Sequence, residues 1–165
     1  MNARRFGQLE ARAPGPADEA FLEALYLETR ADLGALPVPM SVIEGIARHQ
    51  RQLQHADYAR RYPALQEWLV LAAGRPVARV ALEGAGSALR VVDLSVARVV
   101  RRNGIARSVL TALQAQADSI ALRVRSDNSG ARRLYEALGF SVLREEDAAL
   151  ELGWRRQAAA GAQNE

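Results

Sequence analysis

The chain is expected to fold as a mixed α/β domain, a sheet of parallel and antiparallel strands flanked by helices, in the order βααβββαβαββ. Three observations predict it. Apolar runs at residues 68–73, 77–82 and 89–96 are separated by Gly74-Arg75-Pro76 and by Glu83-Gly84-Ala85-Gly86-Ser87, which describes an antiparallel meander. Helical periodicity at 105–118 and 129–138 then alternates with a short strand at 120–125, the mark of crossover connections. Finally, 49% of the 165 residues are apolar and 25% charged, an ordinary profile for one soluble domain. A chain of this length buries about two thirds of its unfolded surface.

The elements follow in order. Residues 5–12 (RFGQLEAR) read as a first strand, ended by Pro14, Gly15 and Pro16. A helix starts near Asp18 and carries Leu22, Leu25, Tyr26, Thr29 and Leu33 up to Gly34. After Pro37 and Pro39, Ser41 is the expected N-cap of a second helix. Its stripe is Val42, Ile46, His49 and Leu53, with Ile43 beside it, so His49 is read as a packed histidine rather than a ligand. Residues 55–63 (HADYARRYP) are either the end of that helix or a loop lining a pocket. The meander comes next. The helix at 105–118 places Ala106, Leu110, Leu113 and Ala117 on one face. Ser126-Asp127-Asn128-Ser129 supplies cap chemistry for a helix with Ala131, Leu134, Tyr135 and Leu138 on one side, stopped by Gly139. Residues 140–143 and 149–154 form a closing hairpin. One domain is expected over 1–154, with 155–165 as a disordered tail.

Composition excludes several chemistries. There is no cysteine, hence no disulfide framework, thiolate metal ligation or cysteine nucleophile. With two histidines, no metal centre is expected. No apolar run approaches the roughly 20 residues of a membrane helix, and no signal-peptide pattern opens the chain, so a cytoplasmic location is expected. The formal charge is +3, from 22 basic and 19 acidic residues, and every basic residue is arginine. Lysine-based Schiff-base and P-loop mechanisms are therefore ruled out. Coding bias explains the absence of lysine; an amine-modifying enzyme that spares itself explains it too. The arginines are scattered without interleaved aromatics, contrary to a nucleic-acid surface.

Chemistry concentrates after the strand ending at Val96. Arg98, Arg101 and Arg102 precede Gly104, and a helix opens at Ile105. Free N–H groups, a helix dipole and surplus positive charge at one point suit an anion. The three-glycine dinucleotide fingerprint is absent.

Leu94-Ser95-Val96 followed by Arg101-Arg102-Asn103-Gly104-Ile105-Ala106 resembles the pyrophosphate motif of the GNAT N-acetyltransferase superfamily, Arg/Gln-x-x-Gly-x-Gly/Ala after an apolar strand. Residues 128–140 (NSGARRLYEALGF) are similar to that family's Asn-x-x-Ala-x-x-Leu-Tyr-x-x-Leu-Gly-Phe segment. Both motifs stand in the family's order, and the N-terminal PADEAFLEALYLETR more loosely resembles a bacterial branch.

The resemblance implies an acyl-CoA N-acyltransferase fold with splayed central parallel strands and acetyl-CoA as cosubstrate. It implies that backbone groups of Leu94 and Val96 pair with pantetheine, with Ser95 between them among the cofactor-binding residues. The amides of Arg101, Arg102, Asn103, Gly104, Ile105, Ala106 and Arg107 wrap the pyrophosphate, Asn128 contacts the cofactor, and Tyr135 stands near the thioester sulfur as general acid. The Val96 amide is the candidate oxyanion donor. The base is open: Asp93 is the nearest carboxylate on the central strand, and a satisfied structural carboxylate is the other reading of it; Glu83 is next. Some members carry glutamate near the position of Arg90, which an arginine cannot replace as base. Arg102 stands where glycine is common, and Ala106 where glycine alternates with alanine. The expected acceptor is a small-molecule or protein amine. A homodimer is admitted, while nucleic acid and membrane are not expected as partners. The alternative function is a CoA-binding sensor or partner module without turnover.

Overall fold

The computed structural model describes residues 3–84 and 86–159. The strands are β1 (Ala3–Phe6), β2 (Leu9–Arg12), β3 (Gln66–Ala72), β4 (Arg75–Glu83), β5 (Ala88–Val96), β6 (Ser119–Arg125), β7 (Ser141–Glu145) and β8 (Ala149–Arg155). The helices are α1 (Glu19–Glu28), α2 (Ala31–Gly34), α3 (Met40–Arg61), α4 (Ile105–Gln116) and α5 (Ser129–Ala137). All strands join one eight-stranded sheet in the order β1-β2-β3-β4-β5-β6-β8-β7. Every neighbouring pair is antiparallel except β5 with β6, the pair linked through α4. The mixed α/β class and the central parallel pair are as expected.

Strand alternation sorts the residues between two faces. Val80, Leu82, Val91 and Leu122 point to one face and meet Val109, Leu110 and Leu113 of α4 in the main core. Those three helix residues are fully buried. Each such side chain contributes about 1.5–3 kcal/mol on leaving water. On the opposite face, Arg79, Asp93 and Ser95 of β4 and β5 lie with Leu22 and Leu25 of α1. This face, beneath α1 and α3, is partly charged.

The end of α4 is closed from a distance. Its last turn holds no basic residue, and Arg156, just past β8, donates Nη2 to the carbonyls of Gln114, Ala115 and Ala117 at 3.0–3.1 Å. A cation on the free carbonyls of a helix C-terminus satisfies them and opposes the dipole. Ordered chain thus continues past Trp154, through Arg155 in β8 and Arg156. Residues 160–165 of the expected tail lie outside the described residues.

Four local expectations are corrected. Residues 5–12 belong to a hairpin rather than one strand, because Gly7 takes a left-handed φ of +63° and turns the chain between Phe6 and Leu9. The first helix breaks after Glu28, where the Thr29 hydroxyl donates to the Tyr26 carbonyl at 2.7 Å and Arg30 leaves helical geometry at φ −118°, ψ 64°. The second helix begins at Met40 after Pro39, so Ser41 lies inside it and makes no cap bond. His49 is exposed. The buried stripe of α3 is Ile43 and Ala47 with Ile46 partly covered, one position away from the stripe assumed, and Val42 and Leu53 are 45% and 58% exposed. Of the two readings for residues 55–63, the helix is found, running to Arg61.

Candidate active site

The site begins with a failure of strand pairing. Residues 88–91 of β5 pair with 119–122 of β6, and there the ladder stops although both strands continue. Across β4 the register runs Leu82↔Val91 and then Ala81↔Asp93, which leaves Val92 as one extra residue, a β-bulge. Beyond it β5 follows β4 and β6 follows β8, and a V opens between them. The Ala97 amide donates to the Val77 carbonyl at 2.9 Å. By alternation, the backbone groups of Leu94 and Val96 therefore point away from β4 into the V. Apart from the Val96 carbonyl, they are a free strand edge. The Val96 carbonyl accepts a hydrogen bond from Arg101 Nε at 2.9 Å.

Past Val96 the chain makes a single helical turn at Arg98–Val100 and then a tight loop into α4. Arg102 and Gly104 both take left-handed backbone, at φ +66° and +76°. A left-handed residue beside a right-handed one aims successive N–H groups at a common point. The amides of residues 102–107 have no hydrogen-bond partner among the described residues; the first helical bond is from Ser108 to the Gly104 carbonyl. Nothing lies within 4 Å of where a Cβ of Gly104 would stand, so the space before the loop is open. Loop and helix start together present these unpaired amides to one open space. One more amide, that of Arg98, is bound by the Glu28 carboxylate of α1 at 2.7 Å.

Asp93 sits on the sheet face beneath α1 and α3. Its carboxylate accepts hydrogen bonds from Arg79 and from the Ser95 hydroxyl, the latter at 3.0 Å. Arg79 also donates to Glu67 at 2.9 Å, and His55 Nδ1 lies 3.5 Å from the same Glu67 oxygen. Burial pushes the Asp93 carboxyl above its ordinary range, against the pull of Arg79 and Ser95. Asp93 is thus a hydrogen-bonded carboxylate whose affinity for a proton is increased.

Tyr135 is 9% exposed on α5, with its ring packed on Phe140 at 5.6 Å between centroids. Burial, aided by the Asp93 charge, pushes its phenol up to about 12. The side chain therefore keeps its proton throughout the neutral range. Tyr58 of α3 is likewise pushed up to about 12, by burial and then by Asp93. The field of Asp93 thus reaches a tyrosine on each side. Asn128 is the N-cap of α5, its Oδ1 accepting from the Ala131 amide at 3.2 Å, which leaves its amide nitrogen free to donate. Ser95 is turned toward Asp93, away from the V.

Sequence reasoning missed the partners. Arg79, Glu67 and Glu28 were not singled out, nor was Glu151, whose carboxylate takes both terminal nitrogens of Arg90. A signal existed for Arg79: an arginine inside an apolar strand must find a counter-charge when the strand is buried. Glu83 faces Arg90 across the β4–β5 ladder, and its Oε2 is buried without a partner among the described residues. Among the described residues no group of three His, Asp or Glu side chains gathers as a metal site, and no helix is long and apolar enough to cross a membrane.

The V and its loop suit an acyl-CoA. A free strand edge accommodates an extended amide-bearing arm, and an open cradle of amides beside Arg98, Arg101 and Arg102 accommodates a diphosphate. The fold agrees with solved structures. One is the paiA N-acetyltransferase from Thermoplasma acidophilum in complex with coenzyme A, 14% identical, covering 90% of this chain and 99% of that one with a TM-score of 0.64. Another is the ribosomal-protein-S18-alanine N-acetyltransferase from Escherichia coli, 18% identical, covering 96% and 99% with a TM-score of 0.57. A third is Arabidopsis thaliana NAA60 with a bisubstrate analogue, 14% identical, covering 91% and 100% with a TM-score of 0.57. These come from an archaeon, a bacterium and a plant, and do not favour the bacterial branch suggested by residues 16–30. No curated protein matches the sequence significantly. The family model described as the acetyltransferase (GNAT) family matches residues 19–140, from the start of α1 to the phenylalanine that packs on Tyr135, and the chain belongs to that family.

Proposed function

We propose that the protein transfers an acetyl group from acetyl-CoA to a primary amine by direct attack, with both substrates held in one ternary complex. The observation that carries this reading is the junction of three parts: the unpaired edge of β5, the amide cradle at 102–107, and the buried Tyr135 within the field of Asp93. When bound, acetyl-CoA supplies the activated acetyl thioester. Backbone groups of Leu94 and Val96 would hold the pantetheine arm as an added strand. The amides of residues 102–107 would hold the pyrophosphate, with the α4 dipole adding to the attraction; the Arg101 amide, expected among them, is spent on the Arg98 carbonyl at 3.2 Å. The Val96 amide, directed into the V, would donate to the developing oxyanion. Asn128 has one face committed to capping α5 and its amide nitrogen available to the cofactor.

Asp93 would take the proton from the incoming ammonium. Burial raises its proton affinity, which brings a carboxyl closer to the working pH of a base. Tyr135 would protonate the leaving sulfur. A phenol near 12 is a weaker acid than a thiol in water at about 8.5. Desolvation at the same site raises a thiol as well, which narrows that gap.

The test is a thermal-shift titration with acetyl-CoA followed by thiol-release assays over a panel of amines. Stabilisation by CoA, thiol release on adding an amine, and intersecting initial-rate plots support the reading. Stabilisation without release for any amine supports a binding module instead. Tyr135→Phe should lower kcat at least tenfold with the acetyl-CoA KM within twofold; unchanged kcat across the panel would remove Tyr135 from the mechanism.

A further inference from the structure

Beneath α1 and α3, on the sheet face that carries Asp93, lies a cavity of about 90 Å³ bounded by Tyr26, Thr29, Arg51, Gln54, Arg79 and Asp93 among others. That is about three waters' share of liquid volume, room for the polar end of a small molecule. Arg51 of α3 forms part of its wall. The side chain is only 18% exposed, and its Nη2 is paired with Glu19 of α1. Its Nε–H, however, is buried and has no partner among the described residues. A guanidinium N–H shut away from water requires an acceptor. The other charges at the cavity identify what kind. Asp93 is already engaged by Arg79 and Ser95, so the unsatisfied surface is the cationic one. Beside Arg51 a second cation would be repelled, and an anionic oxygen would complete that wall.

Geometry limits the ligand further. The cavity is roofed by two helices, so it admits the end of a molecule and not a polypeptide passing through. Asp93 forms one wall, and the same carboxylate is the proposed proton acceptor for the amine. We infer that the acceptor is a small amino acid with a free carboxylate, seated with the carboxylate on Arg51 Nε and the amine toward Asp93. This rests on the reading of Asp93 given above. The transfer forms the amide N–C bond and breaks the thioester C–S bond. Asp93 takes one proton from the ammonium; the nitrogen sheds a second as it attacks, which replaces the proton Tyr135 gives to the sulfur, and Asp93 then releases its own to solvent. No oxidant, reductant or further reactant is needed. Arg51 sets specificity without touching the reacting atoms.

Two measurements test this. Calorimetric titration of single amino acids into the CoA-saturated protein should find binding that methyl esterification of the carboxylate weakens at least tenfold. With acetyl-CoA, the ratio of kcat/KM for the acid over its methyl ester should be at least ten in the natural protein and fall to about one in Arg51→Gln. Arg51→Lys keeps a cation for Glu19 but has no Nε–H of that geometry, and should collapse the ratio as well. Glu19→Gln removes the ion pair alone and should preserve it. An acid-over-ester ratio near one in the natural protein would overturn the inference, as would equal loss for acid and ester in Arg51→Gln. Carboxylate-dependent binding without turnover would support the cavity assignment and count against Asp93 as base. Absence of binding for every amino acid overturns the cavity assignment whatever the turnover of other amines.

Discussion

Arg102 offers the sharpest test of the phosphate loop, because its backbone and its charge make separable contributions. It holds φ at +66°, a region that costs a residue bearing a Cβ about 1–2 kcal/mol. Its side chain is exposed and makes no ion pair or hydrogen bond among the described residues. Glycine would release the strain but add freedom to the unfolded chain, an opposing effect of about 0.5–1 kcal/mol. Arg102→Gly should therefore stabilise the protein by about 0.5–1 kcal/mol, raising Tm by about 1–4 °C for a chain of this size. Arg102→Ala removes the same charge while keeping the strained backbone, and its stability should match the natural protein within about 0.5 kcal/mol. Urea unfolding of the three proteins, with equal m-values, gives the comparison. The two variants should lose the same factor in affinity for CoA, since each loses one cation beside the diphosphate. If glycine proves no more stable than alanine, the left-handed conformation assigned to Arg102 is wrong. If their CoA affinities differ more than threefold in favour of alanine, the loop needs rigidity there more than it needs relief of strain.

Further outcomes are expected elsewhere. Gly104→Glu places a Cβ at φ +76° and a carboxylate at the cradle; CoA affinity should fall at least 100-fold by titration, with about 1–2 kcal/mol of stability lost. Asp18 accepts two hydrogen bonds from Arg12 at 2.7 and 2.8 Å and one from the Gly15 amide, which holds its carboxyl at about 2. A depressed carboxyl stabilises the fold above its unfolded value of about 4 and loses that contribution as pH falls toward 2. Asp18→Asn should thus cost about 1–2 kcal/mol at pH 7, after allowance for the half-exposed Arg12, and little at pH 2, as read by urea unfolding at the two pH values. For Asp93, the raised carboxyl requires that kcat/KM climb with pH through a value above the ordinary carboxylate range. Asp93→Asn should abolish that acid limb in a pH–rate profile along with most of the rate, and an unaltered limb would assign it to another group.

Much of the architecture was legible because local chemistry and tertiary demand agree. Asn128 caps α5, and Gly139 stops it at φ +88°, both readable from single residues. The meander followed from its turn glycines and apolar runs. The misreadings share a cause. In α3 the apolar residues lie nearly all round the helix, and only packing against α1 and α2 selects Ile43 and Ala47 over Val42 and Leu53. In residues 5–12, Gly7 alone marks the reversal. The bulge at Val92 carries no glycine or proline and is invisible without the β4 register. The ionic partners of the site are separated in the same way: Arg79 meets Asp93 fourteen positions along, and Arg90 meets Glu151 across sixty-one. Sequence shows which residues want a partner. Only strand register shows which they obtain.

The bond from the Arg98 amide to Glu28 has a thermodynamic consequence. It fastens the last turn of α1, which walls the cavity at Asp93, to the start of the segment that leads into α4. A ligand that shifts either end changes the free energy of the other, and reciprocity makes the two effects equal in size. Under the proposed function, amine and acetyl-CoA are therefore expected to sense one another before any bond is exchanged between them, with a coupling no larger than the about 1.5–3 kcal/mol that such a charge-assisted hydrogen bond provides.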